Sequence, residues 1–412
     1  MKANSKRYLQ SCLITTALAA VPVSSQAALF NISVSANGET YTDSFNDAED
    51  SLRSIETEQL ESRFSNFNEN TDAALANLNY RGLPMELSYG QNSTNLLLNI
   101  PELEISQTFT GASRDDSVDK LVDFLQSDGG DLLNKIMKHL AAVSPTDPIA
   151  GNPSSFMSTE AASLHDSATQ STAENRAGEE GQDTNYVDFG LRFSSYRVDE
   201  EDIDQIHLPI SYTVNLDGTD GHQLTFKVPM SYSSVNGEAD SYSLGVGVGY
   251  TYPVNNQLAI TPGISYQAIG SVNQGTAAAV RSLSITTRYD FEAGGQAWRF
   301  GNTLAHMSTA EVSFDDYTID PNLSNQVMIN GIMWRSVPIE QFNMDVFFKD
   351  TRFFGDELYS ERTDEIGFSI ASENLMPDSV NKTGLRFRVG GSYIFTDRSE
   401  IDGFRLNMGA SF

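Results

Sequence analysis

Residues Phe404 to Phe412 read FRLNMGASF, and Phe404, Leu406, Met408, Ala410 and Phe412 fall at every second position. Side chains of an extended strand alternate between two faces. The chain therefore ends on a strand with one apolar face, while Arg405, Asn407, Gly409 and Ser411 share the other. A water-soluble protein rarely leaves such a strand at its terminus. What the apolar face touches decides the fold.

The same alternation recurs upstream. Val187, Phe189, Leu191 and Phe193 share a face, as do Ile206, Leu208, Ile210, Tyr212 and Val214. So do Leu224, Phe226, Val228, Met230 and Tyr232. Tyr242, Leu244, Val246, Val248, Tyr250 and Tyr252 form another such row, with Gly245, Gly247 and Gly249 behind them. LAITPGISY, LSITTRYDF, FNMDVFFK, EIGFSI and GLRFRVGGSYIF continue the series; AWRFGNTLAHM and QVMINGIMW are noisier. The tally is about twelve segments, each near the ~9–11 residues that a tilted membrane strand needs. Aromatic residues gather at segment ends, where an interfacial girdle would place them. The opposite face carries Asp188, Arg192, Lys227, Arg288, Asp290, Asp345, Lys349, Arg386, Arg388 and Arg405. Charges of both signs suit a wet lumen, so these are read as lumen-facing. The pattern predicts an all-β transmembrane antiparallel barrel over residues 184–412, its apolar face against lipid.

Connections of one parity, LDGTDGH, PVNNQ, EAGGQ and PIEQ, are short, and ENLMPDSVNK is longer. With the C-terminus at the periplasmic end, these are the periplasmic turns, and the other set is expected to be the longer one. Mean hydropathy is −0.31. That value does not separate a barrel from a soluble protein, because half of each strand faces water.

The N-terminus carries Lys2, Lys6 and Arg7, then the apolar run CLITTALAAVPV, then small residues at Ser25 and Ala27. This is the pattern of a cleaved secretory signal over 1–27, and it implies export in a bacterium with a periplasm. The only cysteine, Cys12, lies inside it, so the mature chain has no thiol chemistry. Acidic residues outnumber basic ones 55 to 26, which argues against nucleic-acid binding.

Residues 28–157 read as a small mixed α/β domain. FNDAEDSLRSIETEQLESRFSNFNENTDAALANL is read as helix, LPMELSY and NLLLNIPELEI as strands, and SVDKLVDFLQ and DLLNKIMKHLAAV as two short helices. After the breakers of SPTDPIAGNPSS, residues 158–183 are rich in Ala, Ser and Thr. A slim helix there could lie in the barrel lumen as a plug; the plain alternative is a periplasmic linker.

The stretches LPISYTV, LGVGVGYTYPVNNQLAITPGISY, RSLSITTRYDF, LSNQVMINGI, DTRFFGDELY and FRLNMGASF resemble bacterial autotransporter β-domains, most of all the solitary outer-membrane autotransporter-like barrels. The resemblance covers about residues 184–412. It implies a twelve-strand barrel crossed by a helix, an outer-membrane location, and no catalytic residues or cofactor. It also implies contact with outer-membrane lipid and lipopolysaccharide, and delivery by periplasmic chaperones to the barrel-assembly machinery, with Phe412 as the assembly signal. The region ahead of the barrel lacks the solenoid repeats of a typical passenger.

Three functions follow as expectations: anchoring or display of the N-terminal domain, a diffusion pore gated by that domain, and a membrane hydrolase. For the last, His306 and Ser308 share one strand face, but no orienting partner or oxyanion site can be assigned. No metal-ligand spacing occurs among His139, His165, His207 and His222, and the acidic groups Asp202, Asp204, Asp315, Asp316 and Asp320 match no calcium loop.

Overall fold

The computed structural model describes residues 28–412 except 127–128, 170–184, 217–220, 315–316, 340–341, 373–385 and 412. The signal read over 1–27, the 170–183 part of the linker, and Phe412 lie outside the described residues.

Residues 30–109 form a six-stranded antiparallel sheet of β1 (Phe30–Ala36), β2 (Glu39–Phe45), β3 (Ala74–Tyr80), β4 (Leu83–Tyr89), β5 (Leu96–Ile100) and β6 (Ile105–Phe109), in the order β2-β1-β3-β4-β5-β6. One face is apolar: Phe30, Ile32, Val34, Leu78, Leu87 and Leu98 are each at most 2% exposed. Helices α1 (Ala48–Arg53), α2 (Thr57–Arg63), α3 (Arg114–Gln126) and α4 (Gly130–Val143) contribute Leu52, Leu60, Leu121 and Leu140 to the same core. The run read as helix through Leu78 ends earlier, at Arg63. Ala74, Ala76, Leu78 and Tyr80 are buried on one face of β3, a period of two inside a segment that composition alone favours as helix. The β1–β2 hairpin is an addition to the sequence reading. Its signal is Asn37-Gly38, both at positive φ, as a two-residue hairpin turn requires.

The barrel comprises β7 (Tyr186–Val198), β8 (Glu201–Asn215), β9 (Gln223–Val235), β10 (Ala239–Pro253), β11 (Leu258–Ser271), β12 (Thr276–Ala293), β13 (Gln296–Ala310), β16 (Ser324–Ile339), β17 (Phe342–Gly355), β18 (Arg362–Ser372), β19 (Arg386–Thr396) and β20 (Ile401–Ser411). A two-stranded hairpin of β14 (Val312–Phe314) and β15 (Tyr317–Ile319) interrupts the β13–β16 connection. The twelve strands close when β20 pairs with β7, Leu406 opposite Phe193 and Ala410 opposite Phe189. The alternating apolar residues point outward: Val246 is 59% exposed, Ile264 60%, Leu283 61% and Leu406 62%. A lipid-facing apolar belt on a closed barrel defines the outer-membrane class.

The connections at the far end differ from expectation. Most are short, at 199–200, 236–238, 272–275 and 397–400, because the strands extend into polar stretches such as 201–204 of β8 and 239–240 of β10. There they meet the N-terminal domain. Its buried core is continuous with Tyr196, Val198, Ile203, Val235, Ile394 and Ile401 on the inner rim of the barrel. The Ala48 amide donates to the Asn273 carbonyl (2.8 Å), and the Tyr359 amide donates to the Ala141 carbonyl (2.8 Å). Gly275, at φ +59°, sits where a Cβ would come within 2.6 Å of the Tyr80 hydroxyl, so only glycine allows this approach.

One buried ion pair fastens the three parts together. Arg81 of the β3–β4 turn meets Asp147 at 2.6 Å, with neither side chain exposed, and also donates to the Gln274 carbonyl of the barrel (3.2 Å). The second Asp147 oxygen accepts from the amides of Ile149 (2.9 Å) and Ala150 (3.1 Å). Arg81→Ala strands a buried carboxylate, which costs about 3–5 kcal/mol. The expected result is that the domain of the purified variant becomes protease-sensitive at a temperature where the barrel remains folded. Unchanged protection would show that the pair does not hold the domain down.

Candidate functional site

The site is the barrel interior. Helix α5 (Phe156–Thr169) runs down it from the domain end, and small residues such as Ala161, Ser163 and Ser167 keep it narrow. Ten of its fourteen residues are buried. It leans on the wall formed by β11, β12, β13 and β16. Phe156, Met157, Ala161 and Leu164 pack there with Ile269, Ala305, Met307, Val327 and Ile329. This explains the noisy segments of the sequence. The inner faces of β13 and β16, with Ala305, Met307, Val327 and Ile329, meet the helix rather than water, while their outer faces carry Asn302, His306, Gln326 and Asn330 among the apolar residues.

At the close approach, Gly301 and Gly331 lie opposite each other on β13 and β16. A Cβ on Gly301 would stand 2.9 Å from His165, and one on Gly331 2.8 Å. His165 Nδ1 is 3.0 Å from Thr303 Oγ1. The glycines of β10 leave room for wall side chains instead; a Cβ at Gly245 would overlap Gln267.

The polar side of α5 is held by an ionic chain across the lumen. Asp166 accepts from Lys349 (3.0 Å) and from Arg192 (3.1 Å). Lys349 also reaches Glu365 (2.8 Å), and Glu365 pairs with Arg405 (3.1 Å). Arg405 donates further to the Tyr196 hydroxyl (2.9 Å) and Ser194 (3.2 Å). Higher up, Gln205 donates to the Ser154 carbonyl (2.8 Å), and the Ser265 hydroxyl donates to Glu160 (2.6 Å). Lys227 donates to Ser167 (2.5 Å). At the lower end Arg299 donates to the Thr169 carbonyl (2.7 Å), a cation at a helix C-terminus, where the dipole favours it. Arg299 and Arg335 also meet Asp290 (2.7 and 3.1 Å), and Arg288 stands 3.6 Å from it.

Of the charges read as lumen-facing, Arg192, Lys227 and Lys349 contact α5 directly, and Arg405 is tied to it through Glu365 and Lys349. Asp345 and Arg388 pair with each other at 2.6 Å on the wall. Asp188 and Arg288 line a cavity of about 210 Å3 beside α5, with Arg192, Arg388 and Glu365 and with Asp166 and Ser167 of the helix. Arg386 opens β19, and its side chain lies outside the described residues. Sequence reasoning missed the groups that answer these charges: Glu160 and Asp166 on α5, and Glu365, Arg299 and Arg335 on the wall. For Glu160 and Asp166 a signal existed, as two carboxylates in a segment otherwise nearly free of charge.

His306 and Ser308 face outward. His306 lies between Leu283 and Gln326 across the strands, and Ser308 accepts from Arg281 Nε at 2.9 Å. Among the described residues, no group of three or more His, Cys, Asp or Glu side chains is placed to hold a metal ion.

The chain is a closed twelve-strand barrel of the outer-membrane kind with a helix inside its lumen. No family model and no curated protein sequence matches it. Among solved structures it is similar to the translocator domain of the autotransporter NalP from Neisseria meningitidis, at 10% identity over 62% of this chain and 97% of that one (TM-score 0.43). It is also similar to the β domain of the Bordetella autotransporter BrkA, at 11% identity over 56% and 99% (TM-score 0.41). An outer membrane channel from Pseudomonas putida F1 matches at 10% identity over 55% and 94% (TM-score 0.36). Likeness at this level adds nothing to the topology, which the strand register of this chain already fixes.

The glycine pair gives a direct test of the seat. Gly301→Leu and Gly331→Leu each place a side chain in the space of His165, so the lower half of α5 must leave the wall. In planar bilayers the parent protein is expected to be closed and the variants to conduct. Equal conductance would mean that α5 is not what limits the lumen.

Proposed function

We propose that this barrel anchors the N-terminal domain on the outer surface of the outer membrane and is itself non-catalytic. One observation carries the reading: the direction of the chain through the barrel. The domain sits at the end opposite the C-terminus, α5 descends from it, and β7 starts at the terminus end. With that end periplasmic, as in outer-membrane barrels generally, the domain is external and the chain has crossed the lumen. Export would use the leader read over 1–27, and insertion would use the barrel-assembly machinery acting on the terminal strand with its Phe412.

The shared apolar core makes the domain a lid as well as a displayed unit. A passenger on a loose tether would have no reason to bury Tyr196, Val198 and Ile401 of the barrel rim. The resting protein is therefore closed. The pore reading differs in one respect: it needs the lid to open while the protein works.

An epitope tag after Gly38, at the exposed tip of the β1–β2 hairpin, tests the orientation. Labelling of intact cells is expected. Labelling only after permeabilisation would place the domain in the periplasm and end the display reading. A second measurement separates anchor from pore. Deleting residues 28–169 should produce a large steady conductance, while the full chain stays silent. Regular openings of the full chain would favour the gated pore.

A further inference from the structure

The outward face of the barrel is not uniform. On β7 to β11, β19 and β20, the belt positions are almost all apolar or aromatic, from Phe189 through Leu244 and Ile264 to Leu406. On β13, β16 and β17 the outward positions also carry amides and charges. Asn302 and Asn330 lie opposite each other, two positions along their strands from Phe300 and Ile332, which are 40% and 42% exposed. The Asn302 amide donates to the Asn330 side-chain oxygen at 2.8 Å and to the Ile329 carbonyl at 3.3 Å. Above them His306 pairs across the strands with Gln326, both exposed. On the next strands Asp350 accepts from Arg352 (2.8 Å) and Arg362 (2.9 Å), and Arg362 also reaches Asp364 (3.0 Å). Below this patch Trp298 and Trp334 stack 5.9 Å apart, which marks the inner edge of the belt on the same wall.

Polar side chains on a hydrocarbon-facing wall are unfavourable unless something other than lipid covers them. We infer that the wall of β13, β16 and β17 is a protein contact within the membrane, and that its partner is a second copy of this chain. Three features select that occupant. Carboxamides donate and accept, so the row Asn302, Asn330 and Gln326 can pair with itself across a two-fold axis. Asp350, Arg352 and Arg362 give the patch both signs of charge side by side, which is complementary to its own rotated image. The flanking apolar groups Phe300, Leu304 and Phe354 stay exposed and can pack around the polar centre.

Cysteine cross-linking in native outer membranes tests this. In the full chain with Cys12→Ser, single Leu304→Cys, Asn330→Cys and Phe354→Cys variants would be treated with a short bis-maleimide. Ile206→Cys, on β8 across the barrel, is the control. A dimer-sized band from at least one of the first three, and none from the control, is expected. Asn302→Leu with Asn330→Leu, which suits lipid better, should lower the cross-linked fraction at least threefold while the folded barrel persists in unheated gels. Cross-linking that is absent, or equal from both walls, overturns the inference. So does native mass spectrometry that finds the barrel monomeric with lipopolysaccharide bound, and finds that lipid lost in Arg352→Ala.

Discussion

A strand edge cannot stay open in hydrocarbon, where no water meets its amides and carbonyls. The pairing of β20 with β7 removes that edge, and the rest of the structure follows from it. Closure fixes which face of every strand looks outward. It thereby turns a simple alternation of residues into an outer belt and an inner lumen. It also creates a space that must be filled with water or with protein. Here protein takes much of it, and the helix that does so belongs to the segment just ahead of the first strand.

The filling divides by chemistry. On one wall α5 is packed as in a soluble core, with Leu164, Met307 and Ile329 in contact and two glycines admitting His165. On the other it is held by charge through Asp166, Lys349, Glu365 and Arg405. Buried ion pairs of this sort are weak evidence for stability, but breaking one leaves an uncompensated charge. The arrangement therefore favours one seat for the helix over sliding or rotated alternatives. At the mouth, Arg81 and Asp147 perform the same service for the domain. The domain over one end and the helix in the lumen belong to one stretch of chain, so each helps to hold the other in place.

The sequence by itself determined the barrel. Its twelve strands were legible because side chains in a sheet repeat every two residues, and lipid on one side with a lumen on the other writes that repeat plainly at Leu244, Val246 and Val248. It also marked the charges at Arg192, Lys227 and Arg405 as inward. The path of the chain could not be read in this way. Whether α5 enters the lumen, and from which end, depends on contacts between residues over a hundred positions apart, such as His165 with Thr303 and Arg81 with Gln274. No local period encodes those. β13 and β16 looked irregular for the same reason, since their inner faces are written to fit a helix rather than water. In β3, Ala and Leu favoured helix in isolation, and only pairing with β1 and β4 made it a strand. Tertiary structure decided what fills the barrel and what caps it, because those choices rest on which distant surfaces fit each other.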